Sequence, residues 1–149
     1  MTVRLFNKII NTNAPAAVIA IRLLVGGVFL QEGVKKFLFV EQWGAGRFAR
    51  IGIPAPQIMG PFVGVVEILC GLLILAGLFT RVASLFLIID ISVAIASTKI
   101  PLLLKSGFWP MEAEARTDYS MLMGLVFLLL VGAGVWSVDA WLSSRTGHG

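Results

Sequence analysis

The chain has 149 residues, of which 58% are hydrophobic and only 13% charged, with a mean hydropathy of +0.93. Soluble domains carry about 25% charged residues, so this chain lacks the polar surface to cover a soluble core, while its length suits one domain. The formal charge of +4 does not mark a nucleic-acid binder, because Lys and Arg flank apolar runs instead of clustering with aromatics on a solvated face.

Four apolar stretches dominate, at about residues 16–37, 57–79, 82–99 and 118–138. Each approaches the ~20 residues that cross the hydrocarbon as a helix, and only helices or closed barrels satisfy their backbone in lipid. The expected architecture is all-α: a polytopic membrane four-helix bundle in one domain spanning 1–149. Asn13-Ala14-Pro15 precedes the first stretch, and Pro suits a helix start. Arg22 interrupts the apolar run and no cleavage site follows, so the first stretch is expected to be a retained span.

The link at 38–56 alternates Trp43, Phe48 and Ile51 with Arg47 and Arg50, which predicts a short interfacial helix closing at Gly52. Thr80-Arg81 predicts a tight hairpin between the second and third spans. Pro101, Gly107 and Pro110 mark residues 100–117 as a second link, with Phe108-Trp109 as an interfacial belt. Four spans place both termini on one side, with Arg4, Lys8, Arg81 and Arg145; the longer links carry more Lys and Arg and are expected in the cytoplasm. Gly132 and Gly134 are expected within the last helix, and no nucleotide or zinc motif is evident.

Ionisable residues inside the spans carry the functional signal. Arg22, Glu67 and Asp90 each lie well inside an apolar stretch, where a charge costs about 2.5–3.5 kcal/mol. Helical spacing places Arg22 on one face with Gly26, Phe29, Gly33 and Lys36, and Glu67 with Gly60, Gly64 and Gly71. Ala83, Asp90, Ala94 and Ser97 form a similar small-residue face. Glycine faces let helices approach closely in lipid. At about 1.5 Å rise per residue, Arg22, Asp90 and Glu67 lie roughly 9, 12 and 18 Å from the terminal side. The prediction is one cluster of all three in that half of the membrane. Arginine stays protonated, so the cheapest buried state pairs it with one carboxylate and protonates the other, with Glu67 the candidate to hold the proton. The cluster is either a proton or substrate site, or a packing device.

Glu32 is placed to pair with Lys35 and Lys36. Asp118 or Thr117 is expected to cap the fourth helix; alternatively Asp118 joins Lys35, Lys36 and Arg116 at a mouth. Cys70 is the single cysteine and His148 the single histidine. Bis-histidine haem is thereby excluded, and no metal site is expected.

These residues carry a family resemblance. Arg22-Leu-Leu-x-Gly-x-x-Phe, Gly33-x-x-Lys36, Gly52-Ile53-Pro54, Glu67-x-x-x-Gly71-Leu-Leu-x-Leu-x-Gly77-Leu-Phe-Thr80-Arg81 and Gly132-Ala-Gly134-x-Trp136-Ser137-x-Asp139 together resemble DoxX membrane proteins. The resemblance implies a four-helix protein of the bacterial inner membrane associated with redox systems; relatives include membrane subunits of thiosulfate:quinone oxidoreductase. Relatives often carry a histidine near the end of the third span, where this chain has Ser97-Thr98-Lys99, so no histidine role is carried over.

Three functions follow as expectations. The first is a quinone-interacting subunit or accessory of an oxidoreductase, with no covalent cofactor, a soluble or membrane redox partner, and a quinone whose reduced form, the quinol, gives its proton to Glu67. In that case Arg22 or Asp118 would position a carbonyl or an anion. The second is a small-solute or proton-coupled transporter, for which homo-oligomers could complete a pathway. The third is a non-catalytic scaffold in the lipid.

Overall fold

The structure is a computed structural model that describes Ile10, Thr12 and residues 14–146. Arg4, Lys8, Asn13 and His148 lie outside the described residues. Among the described residues every regular element is a helix: α1 (Val18–Leu38), α2 (Val40–Trp43), α3 (Ala45–Arg50), α4 (Pro56–Ala76), α5 (Thr80–Ser106), α6 (Phe108–Val131) and α7 (Val138–Thr146).

Local chemistry sets most boundaries. Lys35 and Lys36 occupy the last turn of α1, the favourable end of its dipole for cations. Pro56 opens α4, where its missing N–H costs nothing. Gly77, at φ +69°, ends α4 in a Schellman motif: Leu78 N–H donates to Leu73 O and Gly77 N–H to Ile74 O. The two-helix hairpin expected around Thr80-Arg81 follows directly.

The second half departs from expectation. α5 does not stop at Lys99; it continues through Pro101 to Ser106. α6 begins at Phe108 rather than Asp118, because Gly107 (φ +86°) alone breaks the chain and Pro110 sits in the first turn, whose N–H groups have no helical partner. α6 also ends at Val131, not Val138. Gly132 (φ +87°) and Gly134 (φ +81°) take left-handed backbone after the helix, so the Gly-x-Gly is a turn, not helix interior. The first link holds two short helices, α2 and α3, where one was expected.

α1 packs along α4 and α5 along α6, with α4–α5 and α1–α6 contacts joining the pairs and α3 lying on α4. Val25, Phe29, Ile74, Leu87, Leu125 and Leu128 form the buried centre. Outward positions of α4 and α5 are large and apolar, including Phe62, Leu69, Phe86 and Ile89. Among the described residues α4 and α5 are long and apolar enough to cross a membrane. α1 and α6 are as long as α4 or longer. Arg22, Glu32, Lys35 and Lys36 in the one, and Glu112, Glu114, Arg116 and Asp118 in the other, lower their apolarity.

The α1–α4 seam is made by glycine. A Cβ on Gly33 would sit 2.7 Å from Gly64 O, one on Gly71 2.9 Å from Leu30 N, and one on Gly26 2.9 Å from Gly71 O. Gly60 gives the same room to the start of α3, at Ala45 N. Backbone cannot yield as a side chain does. Gly33→Ala and Gly71→Ala are therefore expected to lower stability by about 1–3 kcal/mol, the usual cost of overpacking. Gly27→Ala, whose Cβ would meet nothing within 4 Å, should hold or gain up to about 1 kcal/mol from helix propensity. Thermal unfolding of the three variants in detergent checks the contrast; equal losses would refute it.

Candidate functional site

The three ionisable residues expected in one cluster are divided between two sites. Arg22, buried, faces the end of α4 and the turn after α6. Its Nε donates to Ile74 O at 2.9 Å, Nη2 to Leu75 O at 2.5 Å, and Nη1 to Trp136 O at 2.6 Å and Ala133 O at 3.3 Å. Carbonyls at a helix C-terminus carry the negative end of the dipole and have a lone pair to spare, as Ile74 O does beyond the Gly77 N–H it already accepts. Four carbonyls thus take the place of the carboxylate partner predicted for Arg22. Gly77 makes room, since a Cβ there would lie 2.7 Å from the guanidinium carbon.

Asp139 completes this first site. Its Oδ1 and Oδ2 accept the N–H groups of Phe79 (2.8 Å) and Thr80 (3.1 Å), so it caps the start of α5 from the far end of the chain. Its own N–H donates to Gly77 O, and Ser137 Oγ caps α7 through Ala140 N. The closing Gly132–Asp139 motif is therefore a lock joining α1, α4, α5 and α7. Burial pushes the Asp139 carboxyl above the ordinary carboxylate range, against the lowering effects of the Phe79 and Thr80 N–H groups and of Arg22.

The second site lies at the other end of α1. Lys36 is fourteen residues from Arg22, about 21 Å along the helix axis. Its Nζ donates to Glu67 Oε2 at 2.5 Å, with Glu67 buried and Lys36 nearly so, and approaches Glu32 O at 3.5 Å. Asp90 lies near Glu67 and lines the same cavity, so two carboxyls and one ammonium share this end of the bundle. Glu32 pairs with Lys35 at 2.7 Å, as spacing suggested, but Lys36 turns inward instead.

These groups line a cavity of about 450 Å³ between α1, α3, α4, α5 and α6, within the size range of small-molecule sites. Phe29, Trp43, Phe48, Val63, Ile91 and Met121 supply apolar wall. Asp118 lines it too, but not as a helix cap: it lies inside α6 and pairs with Lys99 at 3.2 Å. Arg116, expected at the mouth, is exposed, donates to Ala113 O within its own helix, and is not among the lining residues. Lys99 escaped notice in the sequence because Pro101 suggested that the span ended there; since α5 continues, Lys99 is held between helices, beside Asp118 and at 3.7 Å from the exposed Glu114. Arg47, over the Trp43 ring at 5.1 Å, also reaches the cavity.

The DoxX family model matches residues 17–100, which hold Arg22, Lys36, Glu67, Asp90 and Lys99. The chain belongs to the DoxX family. It is 51% identical over 144 residues to a membrane protein of Mycobacterium tuberculosis described as uncharacterized, covering 93% of this chain and 88% of that one. It is 25% identical over 135 residues to CatD of Bacillus subtilis, named there as a candidate oxidoreductase, covering 89% and 91%. No solved structure matches. This DoxX chain is thus a membrane protein, in keeping with the long apolar helices α4 and α5.

The two sites separate in their expected mutant behaviour. Arg22→Gln removes donors from buried carbonyls, each worth about 1–3 kcal/mol when left unpaired; it should lower the melting temperature strongly and leave ligand binding by the folded fraction unchanged. The Asp139 carboxyl gives a pH signature. Because its folded value exceeds its unfolded one, of about 3.9, its contribution is complete below that pH and fades as pH rises through the folded value. Asp139→Asn should flatten that decline in a pH series of melting curves, and an unchanged slope would contradict the assignment.

Proposed function

We propose that this DoxX protein is a multi-pass protein of the bacterial inner membrane, with α1, α4, α5 and α6 all spanning, and that it serves an oxidoreductase system as a quinone-interacting subunit or accessory. The cavity carries the proposal. Its apolar walls suit a ring, and its polar groups are few and convergent, as in small-molecule sites. Lys36 holds three N–H donors, of which Glu67 and Glu32 O engage two. The third is available to a carbonyl oxygen of a ligand. The Glu67–Asp90 pair can take or return a proton at the same point.

The fit is chemical as well as spatial. A bound quinone would supply two-electron carriage, which one cysteine and one histidine in the whole chain cannot. The protein's own part is to bind the ring, orient one oxygen at Lys36, keep water from the inner end and hold a proton on the carboxyl pair. Electrons then come from a soluble or membrane partner. The distant similarity to CatD, named as a candidate oxidoreductase, supports the same reading. The positive charge at this end of the bundle, Arg47, Arg50 and Lys105 at the end of α5 among it, favours a cytoplasmic mouth.

The test is titration of the purified chain in lipid nanodiscs with 2-methyl-1,4-naphthoquinone. Saturable binding is expected. Glu67→Gln should accumulate normally yet bind about tenfold more weakly, the scale of one hydrogen bond to a charged group. Absence of saturable binding would overturn the proposal, and a scaffold role predicts no effect of Glu67→Gln. The carboxyl pair facing a cavity also suits proton-coupled transport; proteoliposomes showing Glu67-dependent proton flux without quinone would favour that reading instead.

A further inference from the structure

Along α5 the cavity has polar groups at two levels, and the quinone reading engages only the inner one. Asp90 marks the inner one, near Glu67, which pairs with Lys36. Lys99 marks the outer one. It lies nine residues further along α5, about 13 Å by helical rise. Both lysines line the same cavity, and both side chains are nearly excluded from solvent, at 11% exposure each.

Their surroundings are built alike. Each ammonium is held by carboxylates from a neighbouring helix: Lys36 by Glu67 of α4, Lys99 by Asp118 and Glu114 of α6. Each has three N–H donors. Lys36 uses two on Glu67 and Glu32 O, and Lys99 faces two carboxylate oxygens. At least one donor therefore remains on each. The exposed Glu114 places the outer level at the mouth. The same cavity is lined by Phe29, Ile91, Val93 and Met121, which can contact a ring without holding its oxygens.

We infer that Lys99 is a second anchor of the cavity, and that the site selects a ring compound with hydrogen-bond acceptors at two opposite edges over one with a single acceptor. The inference rests on the quinone-interacting reading and assigns its specificity. Lys36 grips the inner oxygen, and Lys99 grips the outer one at the mouth. A ligand lacking the second oxygen would forgo the hydrogen bond from the Lys99 ammonium, a charged donor whose side chain is only 11% exposed. Lys99 touches no reacting oxygen at the inner carboxyl pair; its role is selection and orientation.

The experiment compares two probes on the full chain in nanodiscs: 2-methyl-1,4-naphthoquinone, with two opposed carbonyls, and 2-methyl-1-tetralone, with one. The parent chain is expected to prefer the quinone by about tenfold or more, the worth of a hydrogen bond to a charged donor. Lys99→Met should bring quinone affinity down to that of the ketone and leave ketone affinity unchanged, whereas Lys36→Met should weaken both. Lys99→Arg should keep the preference. Equal binding of both probes by the parent chain, or equal weakening of both by Lys99→Met, would overturn the two-anchor inference and leave the quinone reading standing. Binding of neither probe would overturn both. The parent-chain comparison needs no variant, so poor folding of Lys99→Met does not remove the test.

Discussion

The glycine seam between α1 and α4 is the constraint on which both polar sites depend. Gly26, Gly33, Gly64 and Gly71 let the two backbones touch. That contact fixes how far each long side chain has to reach. At one end Arg22 meets the last carbonyls of α4, and at the other Lys36 meets Glu67. Bulkier residues along the seam would part both sets at once. On the proposed reading, in which α1 and α4 both span, lipid offers no hydrophobic gain from bringing them together, so close van der Waals packing and buried polar contacts must hold them.

The two ends solve the problem of a buried charge in different ways. Arg22 is neutralised by dipoles, four carbonyls at a helix end and a turn, with Asp139 nearby to cap α5. Such an arrangement satisfies the guanidinium from within the chain. Lys36, Glu67 and Asp90 instead face open volume beside apolar walls. Charges exposed to a cavity retain donors and protons for something else. The structure thus separates a locked charge from charges that line a cavity, although Arg22 and Glu67 look alike in sequence, each an isolated charge on a glycine face.

The mouth shows the same logic at its edge. Trp43, held beneath Lys35 and Arg47 at 5.7 and 5.1 Å, anchors the short helices that cover one side of the cavity. Amphipathic groups of this kind favour the boundary between lipid and water. On the opposite side the extended ends of α5 and α6 carry Lys99, Glu114 and Asp118 past the point where the apolar runs finish.

Much of the frame was legible in the sequence. Composition alone demanded a membrane protein, and period-3.6 spacing put Gly26, Gly33, Gly60, Gly64, Glu67 and Gly71 on inward faces, where all are buried. Local punctuation gave the α4–α5 hairpin and the helical first link. Proline and glycine misled in the second half, because a proline inside a long helix and one in a first turn leave the helix intact, whereas glycines at positive φ end it. The pairing of charges was beyond the sequence. Opposite charge suggested Arg22 with Glu67 and Asp90, but helix-end carbonyls compete for a guanidinium as well as a carboxylate does. Those carbonyls exist only once the α4 end and the turn at 132–136 are folded against α1. Side-chain type and spacing decided which faces turn inward; only the three-dimensional meeting of helix ends decided which inward charges became structure and which were left beside open space.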